Sequence, residues 1–248
     1  MPIITPEAQE AARQHAIDEY PNESCGLIQN DTYFRCKNVH GNPTQHFRID
    51  PRTMAAAHKR GYVQAIIHSH PGGPFFPSES DMQGQLDSKI AWGITISGHD
   101  SASKLIMWGG DTIPAPLIGR VFIHGIQDCY SLARDYYKMK LDIDLLDMAR
   151  EDNWWTSETA NKNFYANYYD RVGFVKVDEP QEHDLILMKI IGSVANHVAV
   201  YTGGDTLIHH LAGRLSCEEV GVMRWSKFIV GYYRHKSLIT NKESVDVR

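Results

Sequence analysis

The feature that most constrains the fold is an apolar segment, VQAIIHSH, that ends in two histidines separated by one residue. Its composition predicts a buried strand, and since side chains alternate between the two faces of a strand, His68 and His70 point the same way. Ser78 predicts the N-cap of a following helix and places Asp81 in its first turn, where the carboxylate can return toward the histidines. Two imidazoles and one carboxylate offer three ligands to one cation and leave a fourth position open.

An open position on a zinc ion holds a water molecule whose pKa falls to about 7, which makes hydroxide available for hydrolysis. Such a site also needs a carboxylate that moves protons, and Glu23, just before the strand SCGLIQ, is the candidate. This choice requires the strand after Glu23 to lie beside the strand that carries His68. The hydroxyl of Ser78 is the candidate hydrogen-bond donor to a developing oxyanion.

A plainer interpretation competes with the metal site, because a histidine at a strand end is usually hydrogen-bonded or exposed and the HxH spacing often arises by chance. The whole set, Glu23 followed by HSHP and PSESD, resembles the signature of the JAB/MPN metallopeptidases. The resemblance covers about residues 1–110. It implies a zinc-dependent peptidase or isopeptidase with a mixed sheet between helices, in which His68, His70 and Asp81 bind the ion.

A second candidate site begins with Cys129, at the predicted start of a helix in the segment DCYSLARDYY. Aligned peptide dipoles at a helix N-terminus favour an anion and lower the pKa of a cysteine below about 8.5, so the thiolate can act as a nucleophile. Activation also requires a histidine within hydrogen-bond reach and a polar group that orients it. His197 is the predicted base and His209 the predicted orienting group.

The two histidines lie on either side of the segment TGGD, which predicts a hairpin. A three-residue loop, Thr202–Gly204, sets His197 and His209 directly opposite each other on one face, whereas a two-residue turn at positions 203 and 204 sets them on opposite faces. The longer loop is the prediction, because Gly204 can supply the left-handed residue that such loops need. Strand alternation makes His210 the weaker candidate for the orienting group.

A cysteine on an amphipathic helix is commonly a small buried apolar residue, and strand histidines are commonly structural. The segments DCYSL, HVAVY and LIHH nevertheless resemble the NlpC-type papain-like peptidases, over about residues 118–235. The resemblance implies a Cys129, His197 and His209 triad and a substrate among the amide bonds of peptidoglycan stem peptides. Tyr130 departs from the small residue that often follows the nucleophile in that family. Aromatic residues between positions 154 and 169 favour core packing over a binding groove.

The order of predicted elements indicates an α+β protein with two domains. In the first half, helices at about 5–20 and 50–60 alternate with short strands, whereas the second half has a helix from Cys129 and then strands at DLILMKI, HVAVYT, TLIHHL and FIVGYYRH. The segment GGDTIPAPLIGR is rich in glycine and proline and is the predicted linker. The predicted domains are residues 1–112, a JAB/MPN-like mixed sheet with flanking helices, and residues 113–248, a papain-like NlpC-type helix with an antiparallel sheet.

Composition narrows the class of partner. The net charge is −5 and there is no run of lysine or arginine, which argues against a nucleic-acid partner. No apolar stretch approaches the roughly 20 residues that span a bilayer, and the N-terminal segment lacks the pattern of a signal peptide, so we expect a protein of the cytoplasm. The four cysteines have no zinc-ribbon spacing and suit a reducing compartment.

A JAB/MPN-like domain followed by an NlpC-type domain in about 250 residues is similar to a family of tail assembly proteins of lambda-like bacteriophages. That resemblance implies other tail-tip proteins as partners, peptidoglycan stem peptides or a protein as substrate, and a location in the host cytoplasm during assembly or in the virion tail tip. A competing hypothesis is a structural tail component whose two sites serve only folding, docking or maturation. The complete sets of ligand and triad residues argue against it.

Overall fold

The computed structural model describes residues 4–156, 165, 169, 171–192 and 194–239. The chain divides into two compact units. The first is Met1–Pro114 together with Met148–Arg150, and the second is Ala115–Asp147 together with Glu151–Arg248.

The first unit is built on a mixed five-stranded sheet with the strand order β2-β1-β3-β4-β5. Strands β3 and β4 run parallel and the other neighbours run antiparallel. The helices are α1 (Pro6–Asp18), α2 (Pro51–Arg60) and α3 (Glu79–Ser88). The strands are β1 (Cys25–Gln29), β2 (Thr32–Cys36), β3 (Ala65–Pro71), β4 (Ala91–Ser97) and β5 (Ile106–Trp108).

Local sequence signals account for these boundaries. The side chains of Thr5, Asp50 and Ser78 each accept a hydrogen bond from a backbone N–H in the first turn of α1, α2 and α3, which satisfies donors that have no partner inside the helix. Asn30 and Asp31 both have positive φ, as a two-residue turn between β1 and β2 requires. Strand β3 is buried along nearly its whole length, and so its apolar run positions the two histidines inside the unit.

The second unit is a six-stranded antiparallel sheet with the order β10-β9-β8-β7-β11-β6, and helix α4 (Cys129–Leu141) packs against β8 and β9. The strands are β6 (Phe174–Val177), β7 (Leu185–Met188), β8 (His197–Gly203), β9 (Thr206–His209), β10 (Cys217–Val220) and β11 (Ile229–His235). Short 3-10 helices span Val222–Trp225 and Lys236–Leu238. The sequence pattern does not predict strands β6 and β10, because neither contains the long apolar run that predicts the other strands of this unit.

The α+β class is confirmed, with a mixed sheet in the first unit and a helix on an antiparallel sheet in the second. Each unit has its own apolar core, one packed between α1 and its sheet and the other on the face of β7, β8 and β9. Among the described residues, no helix has the length and apolar character that crossing a bilayer requires.

The turn between β8 and β9 differs from the prediction of a Thr202–Gly204 loop. Gly203 pairs with Thr206, so the turn itself consists of Gly204 and Asp205. Both residues have positive φ, 57° and 67°, which is the conformation of a type I′ hairpin turn. The predicted three-residue loop is therefore wrong.

A β-bulge precedes this turn, with Thr202 as the extra residue on β8. The bulge shifts the pairing by one residue, so His209 lies opposite Ala199 and the predicted direct opposition of His197 and His209 is also wrong. Residues two apart on a strand share a face, and His197 is two residues from Ala199. The two imidazoles therefore still lie on one face, in a diagonal arrangement.

Candidate metal centre and candidate thiol site

The end of β3 and the start of α3 bring together the residues predicted to bind metal. His68 and His70 project from one face of β3, and the N-terminal turn of α3 carries Asp81 to the same point. All three side chains are buried. One ligand atom from each lies within 4.8 Å of the other two.

The distances between these atoms suit a single small cation. The Nε2 atoms of His68 and His70 are 3.1 Å apart, and each lies 3.3 Å from a carboxylate oxygen of Asp81. Ligands about 2.0 to 2.1 Å from a tetrahedral ion are about 3.3 Å from one another. The donor set therefore fits a metal ion.

Burial opposes protonation of both imidazoles, but for His70 the hydrogen bond and charge of Asp81 outweigh burial and raise its pKa. Nδ1 of His70 lies 3.0 Å from the carbonyl oxygen of Pro74, which can accept its proton and leave Nε2 free to act as a ligand. The His68 ring is fully buried and stacks on Phe47 with centroids 4.4 Å apart. Burial lowers the pKa of His68, and its Nδ1 has no hydrogen-bond partner among the described residues.

Strand pairing places Glu23 at the same centre. Cys25 lies opposite His68 in the antiparallel pair of β1 and β3, so two residues earlier Glu23 comes alongside His70. The carboxyl group is buried, and burial raises its pKa to about 7, with Asp81 adding to the rise and His70 opposing it. A group with this pKa can both accept and release a proton near neutral pH.

A cavity of about 540 Å³ opens over this centre. Its wall includes Glu23, His70, Asp81, His46, Phe47 and Trp92. The wall thus combines two of the three candidate ligands with two aromatic side chains, an arrangement typical of small-molecule binding sites.

Ser78 is bonded to Asp81 in two ways. Its backbone N–H donates to Asp81 Oδ2 at 2.8 Å and its hydroxyl to the same oxygen at 2.6 Å. The hydroxyl also accepts from the backbone N–H of Asp81, so the pair forms a capping box. Ser78 therefore holds the carboxylate in place, and because its single hydroxyl proton is donated to Asp81, the predicted oxyanion role requires that proton to leave Asp81.

The second unit places Cys129 as the first residue of α4, with Asp128 as the N-cap. Asp128 accepts hydrogen bonds from the backbone N–H and the hydroxyl of Ser131 and from the backbone N–H of Gly125, which fixes the start of the helix. Cys129 is buried, and its sulfur lies 3.5 Å from the hydroxyl of Tyr165. Tyr165, interpreted from the sequence as core, is thus also a contact of the candidate nucleophile.

The two candidate histidines of this unit are in contact. His197 Nε2 lies 3.3 Å from His209 Nδ1, and both rings are buried. Burial lowers the pKa of His197 to about 3, with His209 contributing, so this imidazole is neutral near pH 7. His210 faces elsewhere, with Nε2 3.2 Å from the carbonyl oxygen of Arg214.

Glu219 is a neighbour of this site that the sequence did not single out. One of its carboxylate oxygens lies 3.7 Å from His209 Nε2, and the other accepts a 3.2 Å hydrogen bond from Trp225. Glu219 reaches His209 only because β10 pairs with β9. A strand without a clear apolar pattern offers no sequence signal for that contact.

Two family profiles match the chain. Residues 5–107 match the prokaryotic homologues of the JAB domain, and residues 106–234 match the NlpC/P60 family. The second match spans more than half of the chain. Fold and sites thus define a protein that joins a JAB domain to an NlpC/P60 domain.

Three similar proteins cover between 30% and 94% of the chain. Tail tip assembly protein K of Escherichia phage N15 is 33% identical over 94% of this chain and 96% of that protein. The protein of the same name from Escherichia phage lambda is 31% identical over 76% of this chain and 90% of that protein. A probable TtuB-protein conjugate cleaving protease of Thermus thermophilus is 32% identical over 30% of this chain and 56% of its own length. The chain belongs to the family of tail tip assembly protein K.

Proposed function

We propose that this chain is a bifunctional amide-bond hydrolase of a phage tail, with a zinc site in residues 1–112 and a thiol site in residues 113–248. It acts during tail-tip assembly in the host cytoplasm, during penetration of the cell wall, or in both. Other tail-tip proteins are its partners. The observation that carries the proposal is the convergence of His68, His70 and Asp81 within 4.8 Å beside a cavity that also contains Glu23.

At the first site, His68, His70 and Asp81 hold zinc, a choice supported by two imidazoles with one carboxylate and by the ligand spacing. Bound zinc supplies Lewis-acid chemistry that activates water at neutral pH. Glu23 accepts the proton that water loses and passes it to the leaving amine, for which a pKa of about 7 is suited. Ser78 orients Asp81, and to act as the predicted donor to the oxyanion it would turn its single hydroxyl proton from Asp81 to the substrate.

At the second site, the sulfur of Cys129 attacks the carbonyl carbon of the substrate amide. His197 takes the thiol proton and delivers it to the leaving nitrogen as the C–N bond breaks, and water then hydrolyses the thioester. His209 accepts the Nε2 proton of His197 and so leaves the other ring nitrogen free for the thiol.

The substrates follow from the two families. The thiol site takes peptidoglycan stem peptides, as its NlpC/P60 membership suggests. The metal site takes a protein or peptide amide bond, which is the chemistry in the name of the conjugate-cleaving relative. A structural role without cleavage is the alternative outcome.

Digestion of purified peptidoglycan, followed by mass analysis of the released fragments, tests this proposal. Wild type and Asp81→Ala should release the same stem-peptide fragments, and Cys129→Ala should release none. Zinc content of the purified chains gives a separate reading for the first site, with His68→Ala expected to bind one ion fewer than wild type. Absence of fragments from every version, with no zinc in wild type, would favour the structural role.

A further inference from the structure

A second cluster of metal-ligating side chains lies beside the thiol site. Cys217 is the direct cross-strand partner of His209, and Glu219 is two residues further along β10 on the same face. A nitrogen of His209, the sulfur of Cys217 and an oxygen of Glu219 all lie within 4.8 Å of one another. Glu219 Oε1 is the closest link, at 3.7 Å from His209 Nε2 and 4.0 Å from Cys217 Sγ.

The cluster has features of a built site. The indole N–H of Trp225 donates to Glu219 Oε2, which turns Oε1 toward the histidine and the cysteine. Cys217 is a free thiol and only half-buried, so an ion can reach it from solvent. Thiolate, imidazole and carboxylate together suit zinc and the related thiophilic ion cadmium, and sulfur disfavours magnesium and calcium.

We propose that His209, Cys217 and Glu219 bind a thiophilic divalent cation of the zinc type, and that this ion switches off the thiol site. The proposed cation site is argued from the cluster of His209, Cys217 and Glu219 alone. The proposed inhibition of the thiol site rests on the proposed roles of His197 and Cys129.

The switch follows from which nitrogen of His209 faces which neighbour. Nδ1 faces His197 Nε2, and Nε2 faces Glu219. With the Nε2 proton directed toward the Glu219 carboxylate 3.7 Å away, Nδ1 of His209 accepts the proton of His197 Nε2, and Nδ1 of His197 is free to take the thiol proton. A cation on His209 Nε2 moves the proton of the neutral ring to Nδ1, which must then donate to His197 Nε2. His197 is left with its proton on Nδ1 and cannot act as a base.

Cadmium titration of the full chain tests the site. A thiolate bound to cadmium gives an ultraviolet charge-transfer band, and the His68, His70 and Asp81 centre has no sulfur to contribute one. We expect the band in wild type and in Cys36→Ser, a matched loss of a free thiol in the first unit, and its loss in Cys217→Ser. A band that survives in Cys217→Ser, or no band in wild type, would overturn the site.

The switch is tested by peptide-resolved alkylation of Cys129 at pH 7, with and without cadmium. A thiol that loses its base returns toward an ordinary pKa of about 8.5, so the alkylation rate should fall by about tenfold in wild type and stay constant in Cys217→Ser. If Cys129 of wild type is alkylated at the same rate with and without cadmium while the charge-transfer band is present, the proposed inhibition is overturned and the proposed cation site stands. Failure of the proposed thiol function gives a different result, because Cys129 is then alkylated at the rate of an ordinary thiol even before any ion is added.

Discussion

The hydroxyl of Ser78 donates a 2.6 Å hydrogen bond to Asp81 Oδ2, the same oxygen that lies 3.3 Å from His70 Nε2. A helix cap and a candidate metal ligand therefore share one atom. Burial alone would raise the pKa of Asp81, but His68, His70 and Ser78 together lower it well below its usual range. The cap thus helps keep this ligand ionised before any ion binds.

Replacement of Ser78 by alanine should remove both the cap of α3 and the hydrogen bond that supports Asp81. Loss of the cap should cost about 1 kcal/mol of unfolding free energy, and loss of the support to Asp81 should weaken zinc binding by roughly 10- to 100-fold. Thermal unfolding and zinc titration, both in a Cys217→Ser chain that lacks the second cluster, measure the two effects. Thr5→Ala removes the equivalent cap from α1 and should lower stability alone. Equal zinc affinities in the two variants would contradict the coupling.

Removal of the metal should destabilise the first unit. An ion that binds only the folded chain adds about 2.7 kcal/mol at a concentration 100 times its Kd. Thermal unfolding of the Cys217→Ser chain, which lacks the second cluster, should therefore shift upward with zinc and back with a chelator. Asp81→Asn should abolish the shift, and Asp87→Asn, at an exposed carboxylate on the same helix, should keep it. A shift that persists in Asp81→Asn would rule out this ligand set.

Glu23 should make the stability of the metal-free chain depend on pH. Burial raises its pKa from 4.5 to about 7, so between these values the folded chain retains a proton that the unfolded chain has released. The stabilisation is present below pH 4.5 and is lost as pH rises through 7, by roughly 3 kcal/mol at most.

Denaturant unfolding at a series of pH values, in the presence of a chelator, measures this effect. Glu23→Gln should lose less stability than wild type between pH 4.5 and 7, whereas Glu79→Gln, at an exposed position on α3, should follow the wild-type curve. Parallel curves for wild type and Glu23→Gln would show that the carboxyl group titrates normally. With zinc present, Glu23→Gln should also abolish cleavage at the first site.

Tyr165 should tune the reactivity of Cys129. Its hydroxyl lies 3.5 Å from the sulfur and can donate to a thiolate, so Tyr165→Phe should raise the pKa of Cys129 by about one unit and slow alkylation at pH 7. The phenyl ring keeps its packing against Trp154 and Tyr169. Tyr169→Phe removes the same atom from the stacked neighbour and should leave the rate unchanged. Identical alkylation profiles for all three chains would exclude the interaction.

Short-range patterns were enough to predict the convergence of the metal-site side chains. Alternation along a strand places His68 and His70 on one face, and the capping box returns Asp81 toward them. Glu23 required one further condition, that β1 lie beside β3, and the observed pairing meets it.

The thiol site shows where local patterns are insufficient. The predicted pairing of His197 with His209 is wrong because a bulge at Thr202 and a turn at Gly204 and Asp205 replace the simple three-residue loop. The glycines of this segment are compatible with either turn, so the sequence alone does not distinguish the two. The contact of Tyr165 with Cys129 joins positions 36 residues apart, and the contact of Glu219 with His209 depends on the pairing of β10 with β9, which no apolar pattern in β10 predicts.

The diagonal arrangement of the two imidazoles has a consequence for protein engineering. Ala199 is buried directly across from His209 and on the same face as His197, so a larger side chain at this position would compete for space with both rings. A branched aliphatic residue at this position would wedge the rings apart while leaving every polar atom of the pair intact. Such a substitution would test the proposed thiol site by steric means alone, without removing any of its polar groups.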